Sequence, residues 1–194
     1  MQRLRFAFSQ IAVPRSTELP EPLAILLDVE DLPSGWARLD QRRWRTGVAD
    51  SPWSARAKQL GGITAWRSFE SAREGQWLWV EAIPLASETD VREALGDVWV
   101  GTIKNLRAKV RLIGEHEGPA VDGLSPANRT LEQETEGPYG RGLVRLAAWG
   151  HRSVLNMLCS SAEGKPWSWA DIEMAGTKQN EKIDRIVGAG PNTA

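Results

Sequence analysis

The sequence predicts an α+β fold, a single antiparallel β-sheet covered by helices on both faces. Three observations predict it. Two strong hairpins, over residues 62–86 and 143–160, carry large apolar side chains on both faces. A sheet wet on its back would leave Trp or Leu uncovered, so both hairpins call for cover on either side. Helical patterns stand at 87–105 and 168–187 without alternating one for one with strands, which argues against a doubly wound parallel sheet. Finally, 194 residues with 41% hydrophobic and 25% charged content suit one domain with a substantial core.

Residues 1–21 read as an N-terminal arm, in which Leu4, Phe6 and Phe8 alternate in a way suited to pairing at a sheet edge, before Pro14, Pro20 and Pro22. A short helix is predicted over 23–32, stopped by Pro33 and Gly35, and a strand over 36–45. Residues 47–62 form a loop with room for a helical turn at 54–60. In the first hairpin, Arg73-Glu74-Gly75 is expected to be a three-residue loop with Gly75 at positive φ. That register sets Phe69 opposite Trp79 and Arg67 opposite Glu81.

Ser87-Glu88-Thr89-Asp90 resembles a capping box and opens a helix to about residue 105, with Val91, Ala94, Leu95, Val98 and Thr102 on one face. Residues 107–113 alternate as a strand with Arg107, Lys109 and Arg111 outward. A second alternating run over 129–136 sends Glu132, Glu134 and Glu136 to one side, favourable beside a basic neighbour. Between them, 114–128 reads as a long polar loop. The second hairpin is expected to turn at Gly150-His151, a register that sets Arg145 opposite Asn156. The last helix starts at Ser168-Trp169-Ala170-Asp171, its stripe running Ile172, Ala175, Gly176, Gln179, Ile183 and Ile186. Residues 22–188 thus make one domain and 189–194 a tail.

A net charge of -1 gives no bulk attraction to nucleic acid or anionic membrane, so no nucleic-acid partner is expected. No stretch approaches the roughly 20 apolar residues of a membrane span. As written the chain reads as cytoplasmic; an upstream leader would make it exported. Ten Trp against three Phe and one Tyr read as core and rim packing. Cys159 is the single cysteine and lies in an apolar strand, where a buried inert thiol is expected.

Phosphate-loop, dinucleotide, zincin and nucleophile-elbow motifs are all missing, so no cofactor or metal is expected. His116, between Glu115 and Glu117, reads as an idle loop histidine. His151, at a turn tip, would lie more than ~20 Å along the strand from Cys159, too far for a triad. What remains are polar groups on apolar sheet faces: Arg67 with Glu81 and Arg145 with Asn156. Such groups are either internal pairs or the polar floor of a concave site, and these four are the candidate ligand-binding residues.

Asp31-Leu32-Pro33-Ser34-Gly35-Trp36 after a short Leu-rich segment, the late Arg/Gly/His hairpin, and a closing helix with Ala175, Gln179, Lys182 and Ile183 resemble bacterial sensor-type and lipoprotein domains. These are the extracellular sensor domains of bacterial serine/threonine kinases and their stand-alone relatives, with a PsbP-like α/β/α sandwich layout. The resemblance spans residues 22–187. It departs in two respects: those domains are exported and commonly hold disulfides. The resemblance implies a non-enzymatic module that binds a small ligand or a protein partner, and carries over no catalytic residue. The alternative from the residues themselves is a small hydrolase or transferase with Arg67 and Glu81 as its polar floor.

Overall fold

The computed structural model of the chain describes residues 20–45, 63–71, 75–109, 111–137, 140–162 and 166–188. Most of the expected arm, the loop at 47–62 with its helical turn, and the tail lie outside these residues. Seven strands form one antiparallel sheet: β1 (Ala37–Arg45), β2 (Ile63–Ser71), β3 (Gln76–Pro84), β4 (Arg111–Glu117), β5 (Arg129–Gly137), β6 (Gly140–His151) and β7 (Val154–Ala162). Among the described residues three α-helices accompany it, α1 (Pro22–Ile25), α2 (Glu88–Lys109) and α3 (Trp169–Gly188), with a 3-10 turn at Val29–Asp31. The strand order is β1-β2-β3-β7-β6-β5-β4. Helix α2 carries the chain from mid-sheet to the far edge, and β4 to β7 meander back until β7 pairs with β3.

Alternate positions of the central strands divide between two apolar clusters, as period-two side chains must. The first unites Phe69, Leu78, Val80, Ala82, Ala147, Trp149 and Leu158 with Ile25, Leu26 and Leu27 and with Ile172, Ala175 and Ile183 of α3. The second unites Ile83, Leu146, Leu155 and Met157 with Val91, Leu95, Val98 and Trp99 of α2. The hairpin β2–β3 therefore lies within the sheet, with Phe69, Leu78, Val80 and Ala82 buried on one side and, on the other, Ile83 buried while Trp66, Trp77 and Trp79 are partly buried.

Both hairpin registers differ from the expected ones. In β2–β3, Phe69 faces Leu78, Arg67 faces Val80 and Trp66 faces Glu81, with Ser71 against Gln76 closing a four-residue connection. Gly75 keeps its positive φ, at 60°. Core continuity decides the register: this pairing puts Phe69, Leu78 and Val80, each fully buried, on one side, where the shorter loop would have set Leu78 against Glu70. In β6–β7, His151 faces Val154 and the turn moves to Arg152-Ser153, with Arg152 at a φ of 50°. Gly150 serves packing rather than turning, since a Cβ there would meet Val91 Cγ1 at 2.6 Å. The strands run on beneath α2 because that glycine lets the helix approach.

Three boundaries also move. Helix α2 continues to Lys109 because Ile103 and Leu106 extend its buried stripe, so the strand that follows begins only at Arg111. That strand takes in Gly114–Glu117 from the expected loop, past an irregularity between Leu112 and Gly114, and seats His116 opposite Glu132. The helix expected at 23–32 breaks after one turn, and Leu26 is extended with ψ 150°. Asp28 then caps the 3-10 turn with a capping box to Asp31.

Candidate functional site

Three of the four candidate residues, Arg67, Arg145 and Asn156, lie on the side of the first cluster. Arg67 stands between Ala65 and Phe69 on β2, Arg145 precedes Ala147 on β6, and Asn156 sits between Val154 and Leu158 on β7. Glu81 lies between Val80 and Ala82 and therefore points to the opposite side of the sheet. Arg67 and Glu81 do not share a floor. Arg145 faces Ser160, and Asn156 faces Trp149, so these two share a side but are separated by roughly 13 Å of strand.

Arg67 is a tether. Its Nη1 donates to the carbonyls of Leu26 (3.3 Å) and Leu27 (2.9 Å) and pairs with Asp28 (3.2 Å), while Nε donates to Gln41 Oε1 at 3.0 Å. Burial lowers the pKa of its guanidinium, and the Asp28 carboxylate opposes that shift. Helix α3 holds the same segment from the other direction. Lys182 Nζ donates to Leu26 O at 3.2 Å and pairs with Asp31, and Lys178 Nζ donates to Asp31 O at 2.6 Å. These bonds explain the broken helix, because the carbonyls of Leu26 and Leu27 are taken by cations rather than by helical N–H groups.

Arg145 does the same for the segment that leads into α3. Its Nη1 donates to Trp167 O at 2.5 Å, its Nε pairs with Glu132 Oε2 at 2.5 Å, and its plane stands 5.5 Å from the ring of Trp169. Glu132 also meets His116 Nε2 at 3.2 Å. Asn156 anchors α3 by accepting from Gln179 Nε2 at 2.7 Å, next to a second core bond from Trp149 Nε1 to Asn180 Oδ1 at 2.9 Å.

The two tethered segments face each other across a cleft of about 510 Å³ lined by Pro33, Ser34, Trp36, Gln76, Pro166, Trp167 and Asp171. Trp36 and Trp167 meet edge to face, with ring centroids 5.3 Å apart at 72°. Both residues are largely buried, at 7% and 4% exposure. Asp171 closes the N-terminus of α3, accepting from Ser168 N (2.8 Å) and Oγ (2.7 Å). A smaller cleft of about 370 Å³ lies at the other end of the sheet, between Trp99 and the charged strands β4 and β5, with Glu115, His116, Glu117, Arg129, Thr130 and Leu131 on its walls.

Sequence reasoning noticed half of the larger cleft without recognising it. Pro33-Ser34-Gly35-Trp36 carried the resemblance, whereas Pro166-Trp167 went unremarked. The available signal was a Pro and a Trp shortly before each of two element starts, Pro33 and Trp36 before β1 and Pro166 and Trp167 before α3. Glu132, the partner of Arg145, was also missed as such.

On the opposite side, Glu81 is 2% exposed, its Oε1 has no hydrogen-bond partner among the described residues, and burial pushes its carboxyl up to about 8. Cys159, also on that side, is buried, and burial pushes its thiol up to about 12. It is a poor nucleophile there.

No protein-family model matches the chain, and no curated protein matches it. Its fold resembles the extracellular domain of PknH from Mycobacterium tuberculosis, at 11% sequence identity and a TM-score of 0.54, over 87% of this chain and 98% of that one. A putative uncharacterized protein from Mycobacterium smegmatis, the Rv0999 ortholog, aligns at 8% identity and a TM-score of 0.40, over 81% of this chain and 92% of that one. The resemblance to bacterial extracellular sensor-type domains therefore holds at the level of fold.

Proposed function

We propose that this chain is a non-enzymatic binding module whose ligand or protein partner sits in the cleft between residues 33–36 and 166–167. The observation that carries this reading is the support of the cleft's two sides. Each is held by an arginine bonded to main-chain carbonyls, the buried Arg67 at Leu26 and Leu27 and the partly buried Arg145 at Trp167. A preformed cleft loses less ordering entropy on binding than a loose one, which is the property a recognition site needs. Arg67, Arg145 and Asn156 then act as positioning residues behind the site rather than as groups that touch the ligand.

The two apolar clusters support a layered arrangement with helices on both faces of the sheet, the PsbP-like sandwich of bacterial sensor domains. The fold shared with an extracellular domain favours export over a cytoplasmic location. No described helix is long and apolar enough to cross a membrane.

Ser34 is exposed on the rim of the cleft, so Ser34→Arg fills it without disturbing the core. A screen of small polar molecules and short peptides by thermal shift should give ligands that stabilise the native chain and not Ser34→Arg. Ligands that stabilise both equally would place binding elsewhere and defeat the proposal.

A further inference from the structure

We infer that His116 makes the cleft wall at Trp167 responsive to pH: a proton on its imidazole divides Glu132 between two cations, and Arg145 loosens its hold on residues 167–169. This rests on the cleft being the binding site and names a control on its geometry. The contacts form one unbroken line. His116 Nε2 meets Glu132 Oε1 at 3.2 Å, Glu132 Oε2 accepts from Arg145 Nε at 2.5 Å, and Arg145 Nη1 donates to Trp167 O at 2.5 Å. The Arg145 guanidinium also stands 5.5 Å from the ring centroid of Trp169. That ring closes over the end of β4, since a Cβ on Gly118 would lie 2.5 Å from Trp169 Cζ2.

Exposure falls along the line in the order a sensor needs. The His116 side chain is 62% exposed, whereas those of Glu132 and Arg145 are 15% and 19% exposed. Histidine is the side chain whose charge ordinarily changes between about pH 5 and 8. Here it meets bulk water, while the two groups behind it interact with little screening by salt. A second cation on Glu132 competes with Arg145 for the carboxylate and repels the guanidinium across it. The other charged groups nearby leave the line intact. On the same side of β4 and β5, Arg111 pairs with Glu136 at 2.7 Å, and Glu134 is exposed. Glu115 and Glu117 point to the opposite side with Gln133 and Leu131, and Glu115 pairs there with Arg107. In α3, Asp171 accepts from Ser168 N and Glu173 from Gly123 N, and Asp122 is exposed in the connection before β5. Carboxylates ordinarily titrate below the histidine window.

Two-dimensional NMR of the free chain between about pH 5 and 8 tests this. The Arg145 Nε–H and Trp169 indole N–H signals should shift with one midpoint, that of the His116 imidazole. Protection of the amides of residues 167–169, corrected for intrinsic exchange, should fall about twofold to fivefold at the acid end. His116→Gln sits at an exposed position and cannot titrate, so it should hold all three readouts flat. Glu132→Gln should leave the His116 titration in place and uncouple Trp169 from it. His151→Gln should change nothing, because His151 pairs with Asp184 away from this line. If the Arg145 and Trp169 signals do not follow His116, or still titrate in folded His116→Gln, the inference is overturned. A failure of the cleft reading shows instead in the Ser34→Arg screen, which does not involve His116.

Discussion

Arg67 donates to the carbonyl of Leu27 at 2.9 Å, joining an inner strand of the sheet to the segment that leads to the cleft. The bond is made inside the first cluster, where an unpaired carbonyl is costly. Arg67→Ala should therefore destabilise the fold by about 2 kcal/mol and, more specifically, raise amide hydrogen exchange over residues 28–36. Unchanged exchange there, with stability lowered elsewhere, would show that Arg67 does not position the cleft.

Glu81 should set the pH dependence of stability. Its carboxyl is pushed up to about 8 from an ordinary value of 4.5, because burial disfavours the charged form. Its contribution is full below the unfolded value, declines as pH rises from 4.5 to about 8, and levels off above that. Glu81→Gln should gain little at pH 4 and a few kcal/mol at pH 9, flattening the profile between. Urea melts across that range decide it, and parallel profiles for the two proteins would mean that Glu81 is not held neutral.

Much of this fold was legible in the sequence, and the errors have a common origin. Element types followed from periodicity, and Gly75 at positive φ followed from turn chemistry. The registers did not. A turn rule reads two or three residues, whereas the pairing of Phe69 with Leu78 is settled by a cluster that also includes Ile25 and Ile183, far away in the chain. Gly150 likewise looked like a turn residue because its packing partner, Val91, is remote. The same blindness hid the cleft, whose walls come from separate segments, while Arg67 and Arg145 stood out as polar residues on apolar strands. Their partners turned out to be main-chain carbonyls, a feature that no residue pattern records.

Two helix glycines should respond in opposite directions to alanine. A Cβ at Gly96 meets nothing within 4 Å, so Gly96→Ala should stabilise by up to about 1 kcal/mol through helix propensity and a stiffer unfolded chain. A Cβ at Gly176 would lie 2.0 Å from Leu124 Cδ2 and 3.4 Å from Trp149, so Gly176→Ala should cost about 1 to 3 kcal/mol despite the same propensity gain. Thermal melts of the pair check the packing of α2 and α3 together. Equal shifts in one direction would contradict it.

Cys159 should resist modification. Burial pushes its thiol up to about 12, so the thiolate is scarce at neutral pH and the sulfur is out of reach. Labelling with a maleimide should be slow in buffer and complete in denaturant. Fast labelling of the native chain would mean that the sheet's second side is open at β7.

The most direct test of the binding-module account is to follow the indole N–H resonances of the tryptophans as a ligand from the thermal-shift screen is added. The account predicts that the signals of Trp36 and Trp167 move, while that of Trp149, bonded to Asn180 in the core, stays still. Movement of Trp99 alone would place the ligand in the cleft beside β4 and β5 and contradict the account.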